Sequence, residues 1–269
     1  MPELPEVETV RGAMERHLLE RPITRVHTSG KRLREPLPRT ALRALKGDRF
    51  TAARRRAKFL LLDLQSGRTL LVHLGMSGNL LLRPRGEKHD HVVFDFDDGS
   101  TLVYNDPRRF GLVLVLQSAP DEQSCRYLQR LGPEPLSRAF NARYLQAQCQ
   151  RLQRPIKIAI MDNPIVVGVG NIYASEALFR AYIHPATPAS AVDPARLAQL
   201  VSAIKKVLRA AIRQGGTTIS DYRGSGDGGR FQQKLNVYGR EGEKCRVCAT
   251  PVASLYLGGR NTFYCPSCQ

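Results

Sequence analysis

The chain has 269 residues, enough for two domains, and 42% of them are hydrophobic, yet no apolar run approaches the roughly 20 residues that span a bilayer, which argues against a helical membrane protein. Lys and Arg number 41 against 24 Asp and Glu, a formal net charge of +17. Such an excess points to a polyanionic partner, because each phosphate neutralised by Lys or Arg releases condensed counterions. Nucleic acid leads, and charge alone leaves open a merely soluble basic surface or a ribosome-associated protein.

The chain begins MPELPEVETV. Acids within its first eight residues are unlike the basic start of a signal peptide, so a cytosolic protein is expected. Initiator methionine is usually removed before a small residue, which would leave the secondary amine of Pro2 as a potential reagent. A helix is expected near residues 5–20. KFLLLDL at 58–64 and TLLVHLGMSGNLLL at 69–82 read as strands, and HVVFDFDDGSTLVY at 91–104 as a hairpin turning at Asp98-Gly99. Residues 1–116 therefore form a mainly β domain, with flanking helix, and the polar, proline-bearing 117–136 a connection. Helical periodicity takes over near 141–151, 171–181 and 193–214, the last opened by Asp193-Pro194 as N-cap and first turn. The helical domain is placed at 137–234 and includes the Gly-rich GSGDGG at 224–229.

Residues 235–269 carry Cys245, Cys248, Cys265 and Cys268 as C-x2-C-x16-C-x2-C. Two such knuckles supply four thiolates to one tetrahedral zinc, and a cytosolic chain disfavours the alternative of disulfides. SLYLGGRNTFY between them predicts a two-stranded ribbon whose turn displays Arg260. So short a segment has little core, and zinc would contribute on the order of 10 kcal/mol to its folding. Four thiolates leave no open position for catalysis, so the metal is structural. Cys125 and Cys149 fall outside the pattern and read as buried or half-buried residues.

PELPEVET, RRAKFLLL at 55–62, HLGMSG at 73–78, DPRRFG at 106–111, GVGNIYASEALF at 168–179 and the cysteine tail, in this order from Pro2 to Gln269, resemble one family, the bacterial formamidopyrimidine-DNA glycosylases. The resemblance implies a multidomain α+β fold: an N-terminal β-sandwich with flanking helices, a helix-two-turn-helix domain and a C-terminal β-ribbon zinc finger. It also implies a monomer at the nucleoid, acting on double-stranded DNA with oxidised bases in a cleft between two domains. The expected activity is base-excision repair: removal of oxidised purines such as 8-oxoguanine, then strand cutting by β,δ-elimination.

An α-amino group titrates near 8 and lysine near 10.4, so at pH 7 about a tenth of the former is already nucleophilic. Attack on the sugar C1′ would give a cationic iminium, an electron sink for elimination. The resemblance makes Glu3 the general acid, Lys58 the proton donor in β-elimination and Arg260 the donor in δ-elimination. Glu6 could orient the amine or relay a proton, or could be a helix N-terminal acid favoured by the dipole. Lys58 follows Arg54, Arg55 and Arg56, a run that by itself reads as a solvated face or phosphate-binding edge.

An enzyme that acts on a base must extrude it and fill the vacancy. Met76, Arg108 and Phe110 match the family's wedge, two apolar chains to occupy the gap and a guanidinium to pair with the orphaned base. On residue type alone Met76 and Phe110 would be core. Asn171 and Lys157 become phosphate ligands through the resemblance, joined by His89 and Arg154, and residues 217–231 correspond to a mobile lesion-capping loop. Pro164 stands where many relatives are basic, and Leu152 where some carry lysine, which puts phosphate contact there in question. The nearest rival is the endonuclease VIII branch, which begins PEGPE rather than PELPE and prefers oxidised pyrimidines. A non-catalytic DNA-binding zinc protein would be expected to lose the amine or an acid, and Pro2, Glu3 and Lys58 are all present.

Overall fold

The computed structural model describes residues 2–217 and 231–269. They divide into two compact units, residues 2–129 with 214–217 and residues 130–213 with 231–269.

The first unit opens with α1 (Leu4–His17), which Glu3 caps and whose second residue is Pro5, compatible with a first turn that needs no donor there. β1 (Ile23–Thr28), α2 (Arg39–Arg43) and β2 (Phe50–Arg56) follow, then β3 (Phe59–Leu64), β4 (Thr69–His73), β5 (Asn79–Leu82), β6 (Asp90–Phe96), β7 (Thr101–Asn105) and β8 (Leu112–Leu116). Two four-stranded antiparallel sheets result, ordered β1-β6-β7-β5 and β2-β3-β4-β8. Leu60, Leu62, Leu70 and Val72 of one sheet share a core with Val92, Phe94, Leu102 and Tyr104 of the other, and α1 adds Val7, Val10 and Met14. This is the expected sandwich.

One expectation is corrected. The stretch 69–82 is not a single strand: β4 and β5 lie in different sheets, and Leu74–Gly78 makes the crossing. Gly75 (φ +67°) and Gly111 explain the break. A Cβ on Gly75 would meet the backbone nitrogen of Gly111 at 2.6 Å, and one on Gly111 would sit 1.6 Å from the Tyr104 hydroxyl. Only glycines let these two loops touch.

The second unit contains α4 (Ala142–Cys149), α5 (Ile156–Ile160), α6 (Asn171–Arg180) and α7 (Pro194–Arg213), after the short α3 (Ala119–Ser124) at the end of the first. Asp193 Oδ1 accepts the Ala195 N–H at 2.8 Å, the anticipated N-cap. α7 presents Leu197, Leu200, Val201, Ile204, Val207 and Leu208 along one buried face, against which α4 and α6 pack. β9 (Ala253–Leu257) and β10 (Arg260–Tyr264) form the expected ribbon around Gly258-Gly259. Cys149 is buried and Cys125 half-buried, as their place outside the tail suggested. The turn across Pro164 is intact, with the Ile165 and Val166 N–H groups donating to Asp162 O at 3.0 and 3.1 Å.

Candidate functional site

Pro2 and Glu3 are buried at the start of α1. Glu6, one turn on, is only 2% exposed and closes the capping box of α1 as its N3 residue, so the helix N-terminal reading of this acid holds. Its Oε2 accepts the Glu3 N–H at 2.8 Å, while Oε1 accepts the Thr217 N–H at 2.8 Å and hydroxyl at 3.0 Å. One carboxylate thus fixes the residue beside Pro2 and also Thr217. The capping-loop expectation for 217–231 otherwise falls on 218–230, outside the described residues.

Lys58 stands in the two-residue loop between β2 and β3, after Ala57, whose φ of +54° is the kind a tight hairpin needs. The arginines before it are engaged. Arg54 pairs with Asp63 at 2.5 and 2.7 Å, and Arg55 Nε donates to Glu8 Oε2 at 2.8 Å, which ties the hairpin tip to α1. Near Lys58 lies His73, a residue that the sequence reading did not single out although it opens HLGMSG. Its Nδ1 accepts the Gly75 N–H at 3.0 Å, which leaves the proton of the neutral ring on Nε2. Burial, then the charges on Arg34 and Lys58, push its pKa down to about 3, so it is neutral near pH 7.

Met76 lies in the β4–β5 loop, and Arg108 and Phe110 in the β7–β8 loop. Asp106, wholly buried, joins the two. It accepts Ser77 Oγ at 2.8 Å and the Gly111 N–H at 2.8 Å, and Ser77 Oγ in turn accepts the Arg108 N–H at 3.2 Å. His91 Nε2 donates to Asp106 O at 3.0 Å, and Arg34 donates from Nε to Phe110 O at 3.1 Å. Of the residues these bonds hold in place, Arg108 and Phe110 are exposed, Phe110 being 46% accessible with the Arg108 guanidinium 5.1 Å from its ring centre, and Met76 is half-buried. His89 is half-buried beside the same loop, its carbonyl accepting the Asp106 N–H at 3.1 Å. Neither Ser77 nor Asp106 was picked out from sequence.

In the second unit, Lys157, Asn171 and the ribbon meet. Lys157 is fully buried, and its Nζ donates to Asn171 Oδ1 at 2.5 Å and Thr262 Oγ1 at 2.6 Å. Asn171 Nδ2 donates to Asn261 O at 3.0 Å. The buried lysine therefore binds α5, α6 and β10 together, while Asn171 opens α6 and Arg260 stands exposed next to Asn261. Arg154 is ion-paired to Asp162 at 2.6 Å.

The four thiol sulfurs of Cys245, Cys248, Cys265 and Cys268 lie within 4.8 Å of one another. Tetrahedral Zn–S bonds of about 2.3 Å place sulfurs about 3.8 Å apart, so the cluster fits one zinc with all four positions filled. The zinc is structural. Phe179 of α6, Val237 and Val252 pack around Cys245 and Cys265, which makes the knuckles part of the second unit's core.

Comparison with known proteins follows the same division. Residues 1–113 match the formamidopyrimidine-DNA glycosylase N-terminal domain, residues 131–223 its H2TH domain, and residues 242–269 the zinc finger found in FPG and IleRS. The chain is 50% identical to the formamidopyrimidine-DNA glycosylase of Thiobacillus denitrificans over the full length of both. It is similar to the crystal structure of the MutM (Fpg) protein of Thermus thermophilus, with a TM-score of 0.89 and 38% identity over 100% of this chain and 98% of that one. It also resembles a Lactococcus lactis FPG mutant in complex with Fapy-dG-containing DNA, with a TM-score of 0.92 and 31% identity over 100% and 99% of the two chains.

Proposed function

Since the chain belongs to the formamidopyrimidine-DNA glycosylase family, we propose that it excises oxidised purines through the amine of Pro2 and then cuts the strand at the resulting abasic site. It is a DNA glycosylase of base-excision repair; the covalent chemistry and residue roles are the proposal. The observation that carries them is the setting of the N-terminus. Pro2 and Glu3 are buried, and the backbone of Glu3 is held by Glu6 at 2.8 Å, so α1 sets the amine's position instead of leaving it on a loose tail.

The Pro2 nitrogen forms a bond to the sugar C1′ as the glycosidic C1′–N bond breaks, and the proton that the nitrogen sheds goes to the departing base. Glu3 gives a proton to the ring oxygen, the sugar opens, and the nitrogen lone pair forms the C=N bond of an iminium. Loss of a C2′ proton then expels the 3′ phosphate, and a second elimination expels the 5′ phosphate. Lys58, at its hairpin tip, and Arg260, at the ribbon turn, supply protons or positive charge to these departures. Met76, Arg108 and Phe110 fill the stack when the damaged nucleotide is extruded. Asn171, His89 and Arg154 contact phosphate, and Lys157 acts behind Asn171. Zinc supplies rigidity to the ribbon and no chemistry. The protein would work as a monomer in the cytoplasm, at the nucleoid.

Borohydride reduces an iminium to a stable amine. Protein with its N-terminus verified by mass spectrometry should be trapped on 8-oxoguanine duplex through Pro2, and a form that retains the initiator methionine should not. Equal trapping of both forms would remove Pro2 as the nucleophile, and preferential trapping on oxidised pyrimidine would place the protein with the endonuclease VIII branch.

A further inference from the structure

Helix α6 ends in a Schellman arrangement: Tyr182 N–H donates to Phe179 O and Ile183 N–H to Leu178 O, both at 3.1 Å. The residue after the cap takes a left-handed conformation, ordinarily a glycine's. Here it is Tyr182, with φ +55°. A bulky side chain in this region is strained, and packing does not compensate, since Tyr182 is 52% exposed.

Tyr182 borders a cavity of about 380 Å³, lined also by Phe179, Arg180, Lys206, Asn236 and Val247. Val247 lies between the zinc ligands Cys245 and Cys248 and is 63% exposed. Among the described residues four large hydrophobic side chains are exposed, Phe110, Tyr182, Val247 and Tyr256, and two of them border this one cavity. The rim is cationic. Among the described residues Arg180 and Lys206 are exposed with no ion-pair partner and no carboxylate lines the cavity, and the Arg196 guanidinium lies 5.8 Å from the Tyr182 ring. The cavity is at the C-terminal end of α6, nine residues or about 14 Å along the helix from Asn171.

We propose that this cavity is a docking site for an acidic peptide segment of a partner protein, with an aromatic or aliphatic side chain seated between Tyr182 and Val247 and carboxylates on Arg180 and Lys206. The charge of the rim selects the acids, and the exposed ring and valine select an anchor that a phosphodiester backbone lacks.

The test is fluorescence anisotropy with a labelled peptide of four consecutive Asp followed by Pro and Phe, on zinc-loaded full-length protein saturated with duplex DNA. Lys206→Glu and Val247→Asp should each weaken binding about three- to tenfold, the range for loss of an exposed charge pair or apolar contact, without changing glycosylase rates. Replacing the peptide's Phe by Ser should weaken it similarly. Tyr182→Asn should lower affinity while the thermal midpoint holds or rises, since Asn tolerates the left-handed conformation, and a damaged fold could not produce that pair of results. Binding that persists in all three variants, that DNA abolishes, or that the Ser peptide retains would overturn the proposal.

Discussion

The Ser77 hydroxyl donates to the buried Asp106 carboxylate at 2.8 Å and accepts the Arg108 N–H at 3.2 Å, so one serine ties the loop carrying Met76 to the loop carrying Arg108 and Phe110. Ser77→Ala removes that tie and should cost about 1 kcal/mol of stability, the net worth of a hydrogen bond. Asp106→Ala leaves Gly111 and Ser77 without their acceptor and should cost more, about 2 to 3 kcal/mol. If the loops act as one wedge, Ser77→Ala should slow excision from duplex DNA more than cleavage of a single-stranded abasic oligonucleotide, which has no stack to refill. Single-turnover rates on the two substrates decide it, and equal slowing would mean that the bond serves folding alone.

Lys157 and Arg260 make a contrast that the sequence could not draw. Lys157 is wholly buried between Asn171 and Thr262, whereas Arg260 is exposed. Lys157→Met should destabilise the second unit by about 2 to 4 kcal/mol, because two polar partners lose a charged donor. Arg260→Ala should leave unfolding within about 0.5 kcal/mol of the parent and instead reduce DNA affinity or the second elimination. Urea unfolding beside gel analysis of the cleaved ends would separate the two. A stable Lys157→Met protein with weak DNA binding would instead make that lysine a direct phosphate ligand.

Much of this arrangement could be read from local pattern. The ribbon, the cysteine spacing, the Asp193 cap and the amphipathic face of α7 each depend on neighbours in sequence, and each is found as expected. What escaped reading depends on distant partners. β4 and β5 look continuous because the switch between sheets is decided by Gly75 meeting Gly111, 36 positions away, and by the Tyr104 hydroxyl. Asp106 gives no sign in DPRRFG that it will be buried against Ser77, and Glu6 none that it will hold Thr217. The run Arg54–Arg56 shows the same limit in reverse: Arg54 and Arg55 pair with Asp63 and Glu8, partners that the run itself does not announce.

Zinc removal should unmake more than the ribbon. Cys245 and Cys265 are buried against Phe179, Val237 and Val252, and β10 supplies both Asn261 and Thr262 to the Asn171–Lys157 pair. A chelator should therefore weaken binding to damaged and undamaged duplex alike, by loss of the Asn171 and Arg260 surface, while most helical circular dichroism remains. Cys265→Ser should release zinc and reproduce the effect. Full DNA affinity after measured loss of one zinc per chain would show that the ribbon holds its shape on packing alone.

Acid should destabilise the protein earlier than its carboxylates alone would dictate. His73 is held neutral by burial and by the neighbouring charges of Arg34 and Lys58, with a pKa of about 3, and burial also lowers those of His91 and His184. In the unfolded chain each titrates near 6.5, so below that pH the unfolded state binds more protons and stability falls, for His73 down to about pH 3. Asp48 and Asp90 come in later. Burial raises their pKa values, but bonds from Ser66, Arg49 and Arg68 to the first, and from Arg83, Asn105, Gly86 and Glu87 to the second, outweigh it and lower both, so their contribution is lost only below about pH 4. Urea midpoints should thus decline between pH 7 and 5, where these aspartates are still ionised. His73→Gln, which keeps an acceptor for the Gly75 N–H but cannot titrate, should flatten that decline. An unchanged slope would place the acid sensitivity in His91 and His184 and would show that the fold does not lower the pKa of His73.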